Sequence, residues 1–372
     1  SRQTGYADPF GTGLGDANTC TVIGLLYSAH PGFGDNDSNT IEFLNCHFDN
    51  NTNNGTGLPQ FSTGLTMGYN INGLTFHACT FNSNKGLGAE GGRGMFGAIL
   101  GGCKGVLYES CQANNNYNEN GLTEGLHHSG SNGNFDYIIS PEGVTFRECT
   151  ADRNISRAET FPTATGFSLF FMDGFTMEDC TAINNTAFAT DPDNAFGYSD
   201  GLILVGAPNI GGQMKNGVVS GCHFSGNKTN FAGGDAEGIY VQTPLSNLVI
   251  KNCVIQDNTG ADFNSGIWAV GAADGEMFGI VIEDCVIEDQ SLGIYSNGDT
   301  NSIYQNNTIT NVDFGVLLDT SSCDSINNNY VTNAVSGFVD FANPSSSLFS
   351  NNRVFGAVTP YDVTYAFGPV PV

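Results

Sequence analysis

Charge is what this 372-residue sequence has least of: Lys, Arg, Asp and Glu make up 13% of it, and only 11 residues are basic. So few charges disfavour a coiled coil or a long helical bundle, whose surfaces are built from them. Tryptophan occurs once. No apolar run reaches the ~20 residues needed to span a bilayer, and no basic-then-apolar leader opens the chain. None of the 11 cysteines forms a CxxC pair, which excludes a zinc ribbon. The basic residues are outnumbered by 37 acidic ones, for a net charge of −26. Such a surface repels phosphates, so nucleic acid is excluded as a partner. Anionic polysaccharide is disfavoured unless bound cations bridge the two. Neutral glycans, metal ions or a basic protein surface are easier partners. Glycine is abundant, at 50 residues, and 40% of residues are apolar, which sets the chain apart from disordered low-complexity sequence.

The chain repeats, and the repeat predicts the fold. LTFHACTFNSN (74–84), VTFRECTADRN (144–154), FTMEDCTAINN (175–185), LVIKNCVIQDN (248–258) and IVIEDCVIEDQ (280–290) share one pattern. Aligned on the anchors Cys46, Cys79, Cys111, Cys149, Cys180, Cys222, Cys253 and Cys285, then Asn307, Asn329 and Asn352, the position three before and the position two after are always apolar or aromatic. Neighbouring positions are mostly polar, the period-two mark of a strand with one buried face. The last anchors stand 22 or 23 residues apart, too close for a β–α unit but enough for one turn of a three-sided coil. No segment has a convincing helical period. The expected fold is all-β: one right-handed parallel β-helix of about eleven to twelve coils, a rod on the order of 50–60 Å long at ~4.8 Å per coil. Residues 1–39 are expected to form an N-terminal segment with a first, irregular coil. The β-helix is placed at 40–356 and a tail or cap at 357–372.

Five residues after the anchor stand Asn51, Asn84, Asn116, Asn154, Asn185, Asn227 and Asn258. Asparagine accepts the left-handed conformation of a tight turn, and its amide can bond the same amide one coil on. An asparagine ladder is therefore expected. It competes with a glycosylation reading of the NIS, NNT and NKT motifs beginning at 154, 184 and 227. The cysteines form an inward column of small apolar fillers. They read as free thiols, because parallel side-chain vectors suit a disulfide poorly.

A second strand opens with glycine in each repeat, from GLTM (64) to GFVD (337). Between anchor and glycine, seven coils carry long insertions: 49–63, 82–96, 114–124, 152–165, 183–200, 225–237 and 256–265. These are expected as loops along one edge, walling a groove in which an elongated ligand would lie. The outward residues of the glycine strand line it: Thr66, Ile99, His127, Ser168, Ile203, Tyr240, Trp268, Tyr295, Leu317 and Val339. Tyr240, Trp268 and Tyr295, on adjacent coils, are candidate substrate-binding rings that could stack on sugars, or could support one another.

Just before the glycine stand Glu124, Asp200 and Glu237. Asp200 and Glu237 fall on neighbouring coils, where a carboxylate pair could reach the ~5–5.5 Å separation of a retaining glycosidase. Asp191, Asp193 and Asp235 share that wall and could supply oxygens to calcium. Solvated loop carboxylates are the competing reading of all five. In EGLHHSG (124–130), His127 should face the groove beside Glu124 as a candidate base, with His128 inside.

The spaced pattern of IYQNNTITNVDFGVLLDTSSCDSINNNYVTNAVSGFVD (303–340) and the Asn file resemble the pectate-lyase-like β-helix superfamily, especially its carbohydrate-binding and sugar-hydrolase repeats, over about residues 40–356. FDNN (48–51), FNSN (81–84) and FSGN (224–227) are also similar to repeats of chlamydial polymorphic outer-membrane proteins. The first resemblance implies a parallel β-helix and a polysaccharide-directed role. Among the superfamily's members are lyases, hydrolases, epimerases and phage tailspikes, and likeness to the last implies a homo-oligomer. The stretch from Glu124 to Ser129 lacks the Asp and Tyr of the epimerase motif, and the paired-Asp and Gly-His-Gly motifs of polygalacturonases are absent. Two readings therefore stand. One is a surface or particle-associated protein that binds polysaccharide, cell-surface glycan or a protein partner. The other is a polysaccharide-cleaving enzyme using Asp200 and Glu237. Neither requires a cofactor, and calcium is the one ion to be tested. The expected location is extracellular, while a reduced Cys column would suit intracellular assembly.

Overall fold

In the computed structural model, the described residues are 21–28, 41–53, 61–68, 72–87, 94–130, 142–193, 195–206, 213–242, 245–261, 263–271, 277–321, 324–341 and 347–363. They form a parallel β-helix whose strands stack coil upon coil. The glycine strands lie side by side from Thr21–Ser28 and Phe61–Gly68, through Leu122–Ser129, Thr163–Phe170, Phe196–Val205, Gly233–Gln242 and Asn264–Val270, to Val286–Asn297, Thr308–Asp319 and Tyr330–Asp340. Thr359–Val363, inside the segment expected as a tail or cap, adds one more strand to this file. A second sheet carries the strands before each anchor, such as Glu142–Arg147 and Asp173–Glu178. Every recorded pairing is parallel, for instance Phe146↔Met177 and Phe146↔Tyr108.

The two apolar columns make the core. Phe76, Tyr108, Phe146 and Met177 are buried, as are Phe81, Ala113, Ala151, Ala182 and Phe224. Rings pile face to face, Phe76 on Tyr108 at 5.1 Å and Tyr108 on Phe146 at 4.6 Å. The anchor cysteines from Cys79 to Cys285 are buried, Cys46 is half-buried, and none of them is bonded to another. Their thiols donate to main-chain carbonyls, for example Cys111 Sγ to Phe76 O at 3.3 Å and Cys149 Sγ to Tyr108 O at 3.4 Å. Cys20 and Cys323 lie outside the described residues.

The asparagine ladder is continuous from Asn51 to Asn258. Each Nδ2 donates to the next Oδ1 at 2.9–3.1 Å. A second ladder, Asn307 to Asn329 to Asn352, takes over the anchor column where the cysteines end. One expectation changes. The left-handed backbone belongs to the residues just before the anchor and just before the ladder: Glu148 and Arg153 in one coil, Asp179 and Asn184 in the next. The ladder amides instead cap main-chain groups inside the turn, as Asn154 N donates to Asn185 Oδ1 at 3.0 Å. Asn154 and Asn227 are sealed in the ladder, which removes them as glycan acceptors, whereas Asn184 is exposed.

The insertions also differ from the loops expected. Six of them carry a third sheet, Thr52–Asn53, Lys85–Gly86, Tyr117–Asn118, Ile155–Ala158, Thr186–Ala189 and Lys228–Thr229. Ala164, Ala187, Ala189, Ala195 and Phe231 form a small core beneath it. Stacked insertions of similar length can pair their backbones just as the coils do, so the wall is a sheet.

Candidate functional site

The glycines opening each second strand are a steric requirement. A Cβ on Gly125 would stand 2.6 Å from Gly166 O and 2.9 Å from the Ala151 methyl, and one on Gly97 would meet Gly125 O at 2.5 Å. The glycine Cα therefore points into the rod, and so does the apolar residue that follows it, such as Leu126 or Leu202. Two successive inward residues break the alternation of the strand. Side chains one before and two after the glycine then lean toward each other on the outside. Glu124 Oε2 and His127 Nδ1 meet in this way at 2.6 Å. The outer face is thus creased along the glycine file into a valley whose floor its own side chains fill, Thr165, Ser168, Asp200, Glu237 and Ser265 all being buried. One wall carries the residues before the glycine and the other carries those after it.

The register fixes both walls. Glu124, Thr165, Asp200, Glu237 and Ser265 are in-register neighbours on the first wall. His127, Ser168, Ile203, Tyr240, Trp268 and Tyr295 run in register on the second, followed by Leu317 and Val339. Ile99 is the register neighbour of His127, and the side chain of Thr66 lies outside the described residues.

Asp200 and Glu237 face each other on adjacent strands, 0% and 3% exposed, and Glu124 is buried with them. The solvated-carboxylate reading of Asp200 and Glu237 is overturned. They lie low in the crease, where neighbouring strands and the wall take up their surface. Burial raises the Asp200 carboxyl to about 7, and a hydrogen bond from the Glu237 side holds it from rising further. Glu237 is raised well above the usual carboxylate range, first by burial and then by the Asp200 charge. Both carboxyls are thus held toward their protonated forms, and the Glu237 main-chain N–H donates to Asp200 Oδ1 at 3.3 Å. Tyr198 and Tyr240 border it. Burial, then the Asp200 charge, lifts both phenols, Tyr240 to about 12.

At the N-terminal end, His127 is clamped edge-on between Phe96 at 5.4 Å and Phe170 at 5.0 Å. His128 points inward as expected, its Nε2 3.1 Å from Cys103 O, and burial lowers it to about 3. At the other end, Trp268 meets Phe263 at 5.5 Å and Tyr295 at 5.1 Å, with interplanar angles of 82° and 71°. The rings are neighbours, but they support one another edge to face and do not form a parallel platform.

Six buried polar atoms in the valley have no hydrogen-bond partner among the described residues: Thr163 Oγ1, Thr165 Oγ1, Ser168 Oγ, Asp200 Oδ2, Ser265 Oγ and Trp268 Nε1. Sequence reasoning placed Ser168 in the groove lining but missed Thr163, Thr165 and Ser265, because a Thr or Ser at an outward position reads as solvated. It also missed Phe161 and Phe196, five residues before their glycines. They pack edge to face at 5.0 Å on the wall above Tyr198. Counting back from each glycine would have aligned them.

Asp193 is exposed, while Asp191 and Asp235 are half-buried. Among the described residues no three His, Cys, Asp or Glu side chains gather to hold an ion, and the Asp191, Asp193 and Asp235 trio is no exception. No helix among them is long and apolar enough to cross a membrane.

A family model described as NosD, periplasmic copper-binding protein, matches residues 154–361. The chain belongs to the NosD family. The copper of that description has no counterpart in the residues described here: no metal cluster forms, the thiol file donates to carbonyls, and His127 is engaged by Glu124. The residues do not fit an internal copper centre.

No curated protein matches this NosD-family chain. Among solved structures it is similar to the gp49 tailspike of Acinetobacter baumannii bacteriophage Fri1, a capsular polysaccharide depolymerase. The identity is 14% over 82% of this chain and 56% of that one, with a TM-score of 0.43. A GH87 α-1,3-glucanase catalytic domain in complex with tetrasaccharides is 14% identical over 89% and 62%, with a TM-score of 0.40. The periplasmic alginate epimerase AlgG is 9% identical over 81% and 77%, with a TM-score of 0.38. The chain thus spans little more than half the length of the tailspike.

Proposed function

We propose that this NosD-family protein binds a neutral glycan in the valley along its glycine file. One observation carries the reading: the aromatic rings with open surface on one creased face, Phe161 with Phe196 and Phe263 with the Trp268–Tyr295 pair. The apolar faces of sugars pack on such rings. The sign of the chain's charge, −26, favours a neutral ligand over an anionic one. The family's description supports a periplasmic or other exported location. A protein partner along the same wall is the alternative occupant.

The test is calorimetric titration against a panel of neutral and anionic oligosaccharides. Binding confined to neutral members, weakened ~10-fold or more by Trp268→Ala without a change in melting temperature, supports the reading. Binding of anionic members alone, or of none, refutes it.

A second reading, cleavage of the bound glycan, is favoured by two buried carboxyls side by side in register, Asp200 and Glu237, both raised by burial. One protonated and one ionised carboxyl are what glycoside hydrolysis uses. New reducing ends that appear with the wild type and vanish with Glu237→Gln support it. Activity that survives Glu237→Gln removes the pair from the reaction.

A further inference from the structure

We infer that the last coils of the rod form a pH-operated clasp: a proton held among Asp299, Asp324 and Asp340 inside the rod keeps these coils seated, and its loss lets them open while the rest stays folded. The inference is independent of the glycan reading and comes from a change in what fills the rod. Leu245, Met277 and Asp299 are successive register partners, and so are Ala269, Ser296, Leu318 and Asp340. In a third file, the Ile280 main-chain N–H donates to Ser302 Oγ at 3.1 Å, and the Ser302 N–H donates to Asp324 Oδ1 at 2.9 Å. Apolar side chains thus give way to serine and aspartate in three files at the same end. The acids stay inside, Asp299, Asp324 and Asp340 being 0%, 2% and 0% exposed.

One oxygen of each carboxyl in the central pair is pinned by a donor: Asp299 Oδ2 by the Tyr304 hydroxyl, Asp324 Oδ1 by Ser302. Asp299 Oδ1 and Asp324 Oδ2 have no such donor among the described residues, yet the two carboxyls lie within bonding reach of each other. Two ionised carboxylates would repel there and neither could donate. A proton on Asp324 supplies the missing donor.

The groups facing Asp324 are Asp299 from Asp299–Thr300, Tyr304 from Ile303–Gln305 and Asp340 from Tyr330–Asp340. Asp319, at the end of Thr308–Asp319, is engaged elsewhere, 3.4 Å from the Tyr295 hydroxyl. From Met277 to Val363 the one Lys, Arg or His is Arg353, and it is exposed. Burial and then the Asp299 charge raise the Asp324 carboxyl to about 9, against about 3.9 in an unfolded chain. The clasp is therefore complete below about pH 4 and is lost as pH rises through about 9. Within that window each opening releases a proton, so the opening equilibrium rises ~10-fold per pH unit. In a stack each coil leans only on its neighbours, which lets one end open by itself.

The experiment is hydrogen exchange read by mass spectrometry from about pH 5 to pH 8, expressed as protection relative to the intrinsic exchange rate. Peptides from Asp299 to Asp340 should lose protection ~10-fold per pH unit, and peptides around Phe146 should lose less. Asp324→Asn offers Asp299 a donor and Ser302 an acceptor at every pH, so it should flatten the slope and keep the protection seen in acid. Equal slopes in the two regions, or no slope in the last coils, overturn the inference, and the wild-type series decides this even where the variant does not fold. A slope that survives unchanged in Asp324→Asn also overturns it. Calcium chloride added at the upper pH is the remaining arm: protection restored by it would assign the cluster to a cation and overturn the clasp.

Discussion

At the scale of single residues, position in the coil decides chemistry that residue type alone does not. Asp200 precedes a glycine whose Cβ is forbidden, so its side chain is turned into the crease and its carboxyl is raised to about 7, mainly by burial. The linkage has a definite sign. The folded carboxyl holds its proton more tightly than the unfolded one, near 3.9. Its contribution is complete below pH about 4 and drains away as pH rises through about 7, and Glu237, raised in the same direction, extends the loss upward. Melting temperatures from pH 5 to pH 8 should therefore fall for the wild type and fall less for Asp200→Asn, which is neutral throughout. Parallel curves would show that the carboxyl is not buried as described. Spacing made the adjacency of Asp200 and Glu237 legible in the sequence. Their burial was not, because depth depends on how far the wall leans over the crease. The same holds for Thr165, Ser168 and Ser265.

At the scale of the element, the strands and turns were the most legible part, because a repeating coil states each rule many times. Apolar columns three before and two after the anchor became the core, and the Asn file became a ladder with amide bonds of 2.9–3.1 Å. What stayed hidden was the division of labour inside the turn. The left-handed positions are filled by Asp, Ser, Glu, Arg and Gly as well as Asn, so no single residue type marked them. The third sheet was hidden for a related reason: its strands are two to four residues long and carry no period to read. The ladder makes its own prediction. Asn154 accepts from Asn116 and donates to Asn185, each at 3.0 Å, in a fully buried turn. Asn154→Ala orphans two buried donors, Asn116 N and Nδ2, while Asn185 Oδ1 keeps the Asn154 main-chain N–H; each orphan costs about 1–3 kcal/mol, so the denaturation midpoint should fall clearly. Asn184→Ala, one residue earlier and exposed, should lower it less. Equal effects would contradict the ladder's role.

At the scale of the whole molecule, the stack turns residues dozens of positions apart into neighbours, and function follows from what the files expose. The valley exists because one file is all glycine, and it has a built wall only where the insertions stack into a third sheet. From Val286–Asn297 onward the strands run straight through and that wall is gone. The family is described by copper, whereas the described groups on this face are exposed aromatic rings and a buried carboxyl pair, which are the groups the proposed glycan reading uses. The single tryptophan of the sequence, Trp268, stands in the valley wall, its indole N–H without a partner among the described residues. Its emission is therefore a reporter confined to the proposed site. Titrating the protein with a neutral oligosaccharide series should shift or quench that emission saturably, while an anionic polyuronate leaves it unchanged. Emission unmoved by every neutral glycan, or moved only by the anionic one, would contradict the account.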